Sequence, residues 1–152
     1  MKVLCVDDEV TVVNVVSLYL RDLWPGADVL RAFGGNTALE MFEREEPDLV
    51  ILDLFLVDIS GYEVIRRIRR QSAVPMIILT GLAEGEEIAR ALDLGADACI
   101  TKPFDNSVFL AKVKAVLRRC AVRPGLRGIQ SKVTTGPRLM PPGALNLGSQ
   151  DV

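Results

Sequence analysis

The sequence predicts an α/β fold built on one parallel sheet, and two observations predict it. Short apolar runs alternate five times with longer amphipathic stretches between residues 3 and 119, and turn formers stand between them. Strict alternation means each strand must be reached by a helical crossover. Crossovers of that kind pair strands in parallel, with a right-handed connection.

The elements follow in order. The first strand is Val3–Val6 and the second Asp28–Ala32. The third is Leu49–Leu52, the fourth Met76–Leu79 and the fifth Ala98–Thr101. Four of these are nearly continuous in hydrophobicity, as strands covered on both faces should be. The second is more polar and is expected nearer an edge. The first helix carries Val12, Val15, Val16, Leu18, Tyr19 and Leu23, and Trp24 is expected to seat its end. Ala38, Leu39 and Phe42 mark the second helix, and Val64, Ile65 and Ile68 the third. Ile88, Ala91, Leu92 and Leu94 mark the fourth, and Phe109, Leu110, Val113 and Leu117 the fifth. Pro25-Gly26 closes the first helix and Gly95 the fourth. Pro47 and Pro75 precede the third and fourth strands, and Asp105 is placed to cap the fifth helix.

The 152 residues suit one domain, assigned to 1–120, followed by a linker or tail at 121–152. Four prolines and five glycines fall in the tail, which is expected to be poorly ordered apart from a short strand at Ala144–Leu147. With 18 basic and 20 acidic residues, the chain as a whole has no nucleic-acid footprint. Cys5, Cys99 and Cys120 are odd in number and far apart, which argues against a disulfide framework or a zinc site. There is no histidine, so imidazole base chemistry and histidine-ligated metals are excluded. No run approaches the ~18 unbroken apolar residues of a membrane span. The expectation is a cytoplasmic protein with no membrane partner.

The strand ends carry the chemistry. Asp7-Asp8-Glu9 follows the first strand, Asp53 the third, Thr80 the fourth, and Thr101-Lys102-Pro103 the fifth. In a parallel sheet these ends open on one edge, which gathers carboxylates, a hydroxyl and an ammonium from distant parts of the chain. Carboxylates at close range repel, and a cation must relieve them. A hard divalent ion with oxygen ligands, Mg²⁺, fits that need. A cation and a lysine beside a carboxylate also suit phosphoryl transfer. Each residue has a plainer reading taken alone. The acids could charge the first turn of a helix, and Lys102 could be a solvated surface residue. Asp53 resists this, since a carboxylate ending an apolar strand is costly to bury without a partner.

The segments VLCVDDE, PDLVILDLFLVDISGYEVIRRIR, PMIILTG and LGADACITKPF resemble the response-regulator receiver domain of two-component signalling, in order and spacing, from Met1 to about Arg119. The resemblance implies a flavodoxin-like (βα)5 doubly wound parallel sheet of order 2-1-3-4-5. It implies that Asp53 accepts a phosphoryl group from a sensor histidine kinase. Mg²⁺ would be held by Asp8, Asp53 and the backbone carbonyl of Phe55, with Asp7 on metal-bound water. Lys102 would pair with Asp53 and then with the phosphate, while Thr80 moves to bind it. The Lys102-Pro103 bond would be cis. The output surface would be the face of helix four, strand five and helix five, and no independent substrate would be turned over.

The chain departs from the family at four places. Cys99 stands where an aromatic switch residue is usual. Val57-Asp58 replaces the usual Pro-Asp pair. Ala98, Val108 and Lys112 replace ionic residues of the family's dimer face, so a homodimer there would be more apolar. The tail PRLMPPGALNLGSQDV faintly resembles the opening strands of a winged-helix DNA-binding domain, which implies a receiver cut from a longer transcription regulator. DNA binding would need that missing domain. Phe55 and Leu82 are bulky and apolar, and are expected to obstruct the water that hydrolyses the phosphoaspartate. Two other classes compete with this reading. Haloacid-dehalogenase-like phosphatases carry an acid two residues after the nucleophile, where this chain has Phe55. A domain that binds without phosphorylation is the third class, with Cys99 in its favour.

Overall fold

The computed structural model describes residues 1–81 and 84–121. Ten elements alternate along the chain. They are β1 (Lys2–Val6), α1 (Val10–Leu23), β2 (Asp28–Ala32), α2 (Gly35–Glu45), β3 (Leu49–Leu52), α3 (Gly61–Arg69), β4 (Met76–Thr80), α4 (Gly85–Leu94), β5 (Ala98–Thr101) and α5 (Asn106–Cys120). The described strands form one parallel sheet in the order β2-β1-β3-β4-β5, the doubly wound arrangement expected. β2 lies at an edge, as its polarity predicted. β1 begins one residue earlier than the apolar run because Lys2 pairs with Asp28. β4 runs one residue longer because Thr80 pairs with Thr101. The expected linker, its strand at Ala144–Leu147, and Leu82 lie outside the described residues.

Side chains alternate between two cores, one on each face of the sheet. Val3, Cys5, Ile51, Ile77 and Leu79 meet Val13, Val16 and Leu20 of α1 and Phe109, Val113 and Leu117 of α5. Leu4, Val6, Val50, Leu52, Met76 and Ile78 meet Phe42, Ile65, Ile68 and Ala91 of α2, α3 and α4. Strands covered on both sides need apolar residues at every position, which explains the unbroken runs. α4 is the least anchored helix, with Ala91 as its one buried residue. None of the three cysteines is in a disulfide. Burial pushes the Cys5 thiol up to about 12, so it acts as a small apolar core residue.

Helix ends follow the sequence signals. Asp105 caps α5 by accepting from Val108 N at 2.9 Å. Gly95 ends α4 at φ +123°, and an added Cβ there would fall 2.9 Å from the Arg69 side chain. Trp24 is buried, its N–H donating to Leu20 O at 2.8 Å. Asp97 does more than turn the chain before β5. It pairs with Arg69 at 3.1 Å and accepts from Met76 N at 2.9 Å, tying α3 to the starts of β4 and β5.

Asp58 bridges two loops at the functional edge. Its carboxylate accepts from Gly35 N at 2.8 Å and Asn36 N at 2.9 Å, so the β3–α3 loop caps α2. These backbone donors hold its pKa down at about 2. The folded value lies below the ordinary ~3.9 of an unfolded aspartate. The stabilisation is therefore present above about pH 4 and lost as pH falls through 2. Asp58→Asn should be less stable than the parent at pH 7, with the gap narrowing below pH 4 in urea melts. A gap independent of pH would mean that the charge contributes nothing.

Candidate functional site

The site sits where the chain leaves the central strands. β1 and β3 are neighbours, with Val6 opposite Leu52, and the connections from them diverge toward opposite edges of the sheet. A crevice opens beyond the strand ends at such a switch point. Backbone bonding continues one residue past each strand and fixes the acids. Asp53 N donates to Val6 O at 3.0 Å, and Asp7 N donates to Ala32 O at 3.1 Å. Lys102 N donates to Thr80 O at 2.9 Å, which carries Lys102 to the same edge.

Asp7, Asp8 and Asp53 each present a carboxylate oxygen within 4.8 Å of the others. Asp7 and Asp53 are buried, at 1% and 5% exposure, while Asp8 reaches solvent. The Lys102 ammonium faces three carboxylates. It stands 2.8 Å from Asp7 Oδ2, 3.0 Å from Glu9 Oε1 and 3.4 Å from Asp53 Oδ2. Pairing with Asp53 is thus the longest of the three contacts. Burial pushes the Asp7 carboxyl up, opposed by the Lys102 ammonium and the Glu9 backbone donor. Burial also pulls Lys102 down, but Asp7, Glu9 and Asp53 together hold it above the ordinary lysine value.

Two buried oxygens here lack an aligned hydrogen bond. Asp7 Oδ2 has the Lys102 charge close by but no aligned donor, and Thr80 Oγ1 has no partner at 0% exposure. Orphaned buried oxygens are costly unless a ligand completes them. An all-oxygen donor set with unspent lone pairs fits a hard divalent cation and not a soft one.

The remaining expected residues are placed as follows. Phe55 N donates to Asp53 Oδ1 at 3.4 Å, and the Phe55 side chain is 39% exposed. Lys102-Pro103 is cis. Cys99 lies half-buried on β5, its carbonyl accepting from Lys112 Nζ at 3.1 Å. Val108 is exposed beside it on α5.

Sequence reasoning missed three participants. A Cβ at Gly61 would fall 2.5 Å from the Asp53 carbonyl oxygen, and the Gly61 N–H donates to Leu54 O at 2.8 Å. Ser60, whose side chain caps α3, marks that helix start in the sequence, but the close approach has no local signature. Tyr62 is buried beneath the Arg90 guanidinium at 4.1 Å and donates to Glu87 O at 3.4 Å, fastening α4 to α3. Glu9 reads in the sequence only as part of an acidic run, because its contact with Lys102 crosses 93 residues.

A 2-1-3-4-5 sheet with this acidic cluster at its switch point, faced by the lysine that follows β5, is the arrangement of a receiver. Residues 3–114 match the family described as the response regulator receiver domain, and the chain belongs to that family. A probable transcriptional regulator, ycf27, of Porphyridium aerugineum is 40% identical over 118 residues. That match covers 78% of this chain and 48% of the relative, so the chain spans about half the relative's length. Among solved structures, a two-component response regulator from Clostridium difficile is similar at TM-score 0.73 and 28% identity, covering 78% of this chain and 97% of the other. The BeF3-activated N-terminal receiver domain of Klebsiella pneumoniae RstA is similar at TM-score 0.72 and 32% identity, covering 78% and 99%. Among the described residues no helix is long and apolar enough to cross a membrane.

Proposed function

We propose that this chain is a phosphorylation-driven switch in which Asp53 takes a phosphoryl group from a phosphohistidine of a sensor kinase. One observation carries the reading. Asp53 is a buried carboxylate set between two further aspartates and a lysine, a charge balance that suits a transferring phosphoryl group and is costly for structure alone. A carboxylate oxygen of Asp53 attacks phosphorus, and the phosphorus–nitrogen bond to the donor imidazole breaks as the acyl phosphate forms. Lys102 neutralises the phosphoryl oxygens, and the unpartnered Thr80 hydroxyl donates to one of them.

Asp8, Asp53 and the Phe55 carbonyl would hold Mg²⁺, with Asp7 on metal-bound water, and the ion when bound offsets negative charge on the phosphoryl group. That a similar receiver domain is described as BeF3-activated supports a switch of this kind. Signal output runs through α4, β5 and α5, where Cys99, Val108 and Lys112 form the surface and a homodimer is one candidate assembly. The name of the relative supports transcription control, with DNA contacts made by a domain beyond the receiver. The chain turns over no independent substrate in this reading.

Intact mass after incubation with Mg²⁺ and acetyl phosphate tests the acceptor. One added phosphate is expected in the parent and none in Asp53→Asn or in EDTA. Phosphate uptake by Asp53→Asn would overturn the assignment. The acyl phosphate should also be long-lived, because the partly exposed Phe55 side chain obstructs water in line with phosphorus. Phe55→Asn should shorten the half-life several-fold, read by mass after donor removal. Equal decay would refute the shielding role.

A further inference from the structure

Residues 53–60 join β3 to α3 and carry both the Asp53 carboxylate and the Phe55 carbonyl. The loop is tied to the sheet at its start, where Asp53 N donates to Val6 O at 3.0 Å. It is tied to α3 at its end, where Gly61 N donates to Leu54 O at 2.8 Å. Its outer turn has less to hold it. Phe55 and Val57 are exposed, and Leu56 and Ile59 are only partly buried. Asp58 fastens that turn to the start of α2, accepting from Gly35 N at 2.8 Å and Asn36 N at 2.9 Å. The start of α2 is shaped to receive it. Its cap residue is Gly34, which offers no side-chain cap of its own. A Cβ on Gly34 would fall 3.0 Å from Asp58 Oδ2, and one on Gly35 would fall 2.5 Å from Ile59 Cγ1. A serine or aspartate at 34 would serve α2 as a local cap. Two glycines instead make room for a loop that arrives from another part of the chain.

We propose that Asp58 is a positioning residue for the Mg²⁺ site, fastening the β3–α3 loop to α2 so that the Phe55 carbonyl keeps the aim a cation needs. This rests on the phosphoacceptor reading and its metal set, and adds a residue outside the cluster of Asp7, Asp8 and Asp53. A backbone carbonyl has no rotamer with which to adjust, so the path of the loop sets its direction. Mg²⁺ demands near-octahedral oxygen ligands at ~2.0–2.1 Å, and the groups that orient such ligands weigh on affinity. Phe55 N restrains its own peptide little, since its contact with Asp53 Oδ1 is long at 3.4 Å. The two charge-assisted bonds to Asp58 are the stronger hold on the outer turn.

The test is Mg²⁺ titration by calorimetry of the parent, Asp58→Ala, Asp58→Asn and Gly35→Ala, at a temperature where melts show each to be folded. Asp58→Ala releases the loop and should weaken Mg²⁺ binding about tenfold. Asp58→Asn keeps one acceptor oxygen and should fall between that variant and the parent. Gly35→Ala keeps every charge but pushes Ile59 away, and should weaken binding about threefold. Without metal, amide exchange at Phe55 and Leu56 should quicken in all three variants. Parental Mg²⁺ affinity in Asp58→Ala would show that Asp58 only caps α2, and the proposal would fall. An equal loss in both Asp58 variants with parental affinity in Gly35→Ala would show that only its charge acts, and would overturn the proposal too. A parent that binds no Mg²⁺ would remove both this role and the metal site. A parent that binds Mg²⁺ with the expected order of variants but takes up no phosphate would remove the acceptor reading and leave the Asp58 role standing.

Discussion

Gly61→Ala is expected to slow phosphorylation by acetyl phosphate about a hundredfold, as a shift of about 1 Å at a reacting group can. The added methyl would lie 2.5 Å from Asp53 O and 2.6 Å from Leu54 Cα. Both are backbone atoms and cannot rotate aside. Alanine favours a helix over glycine by ~1 kcal/mol. Overpacking costs ~1–3 kcal/mol, and the Gly61–Leu54 hydrogen bond would add about another 1 kcal/mol. The clash therefore outweighs the propensity, and the start of α3 must move off the Asp53 loop. Initial rates by intact mass, set beside urea melts, separate the two consequences. A variant with parental rate would show that α3 shifts without carrying Asp53 along.

Phe109→Ala should be the most destabilising single truncation, at about 3–5 kcal/mol. Domains of this size have about 5–15 kcal/mol in total, so the variant should stand close to unfolding. Phe109 is fully buried on α5, its ring 5.8 Å from Tyr19 of α1 and 5.5 Å from Phe104. Little there can collapse into the space, because Tyr19 and Phe104 already contact each other at 6.0 Å. Phe104 follows Lys102-Pro103, so the cavity also loosens the segment that carries the lysine. A urea midpoint near the parent's would contradict this account of the core.

The strands and most of the site were legible because their signals are local. A buried parallel strand needs apolar residues on both faces, so Leu49–Leu52 and Met76–Leu79 announce themselves without any partner in view. A parallel sheet brings its carboxyl ends to one edge, which gathers Asp7, Asp53, Thr80 and Lys102 by topology alone. Asp97 and Asp58 were less legible. Each reads locally as a turn residue, yet Asp97 holds Arg69 and Asp58 caps a helix 22 residues away.

What the sequence by itself determined was the α/β class, the order of elements and the identity of the acidic edge. These rest on periodicity and chain order, which need no coordinates. Only the tertiary structure decided that Lys102 lies nearer Asp7 and Glu9 than Asp53, that Gly61 abuts the acceptor backbone, and that Tyr62 and Arg90 fasten α4. Those contacts join residues on different elements, and their distances depend on how α1, α3 and α4 pack against the sheet. Packing of that kind is settled by side-chain shape across the whole core, and no local pattern of residues encodes it.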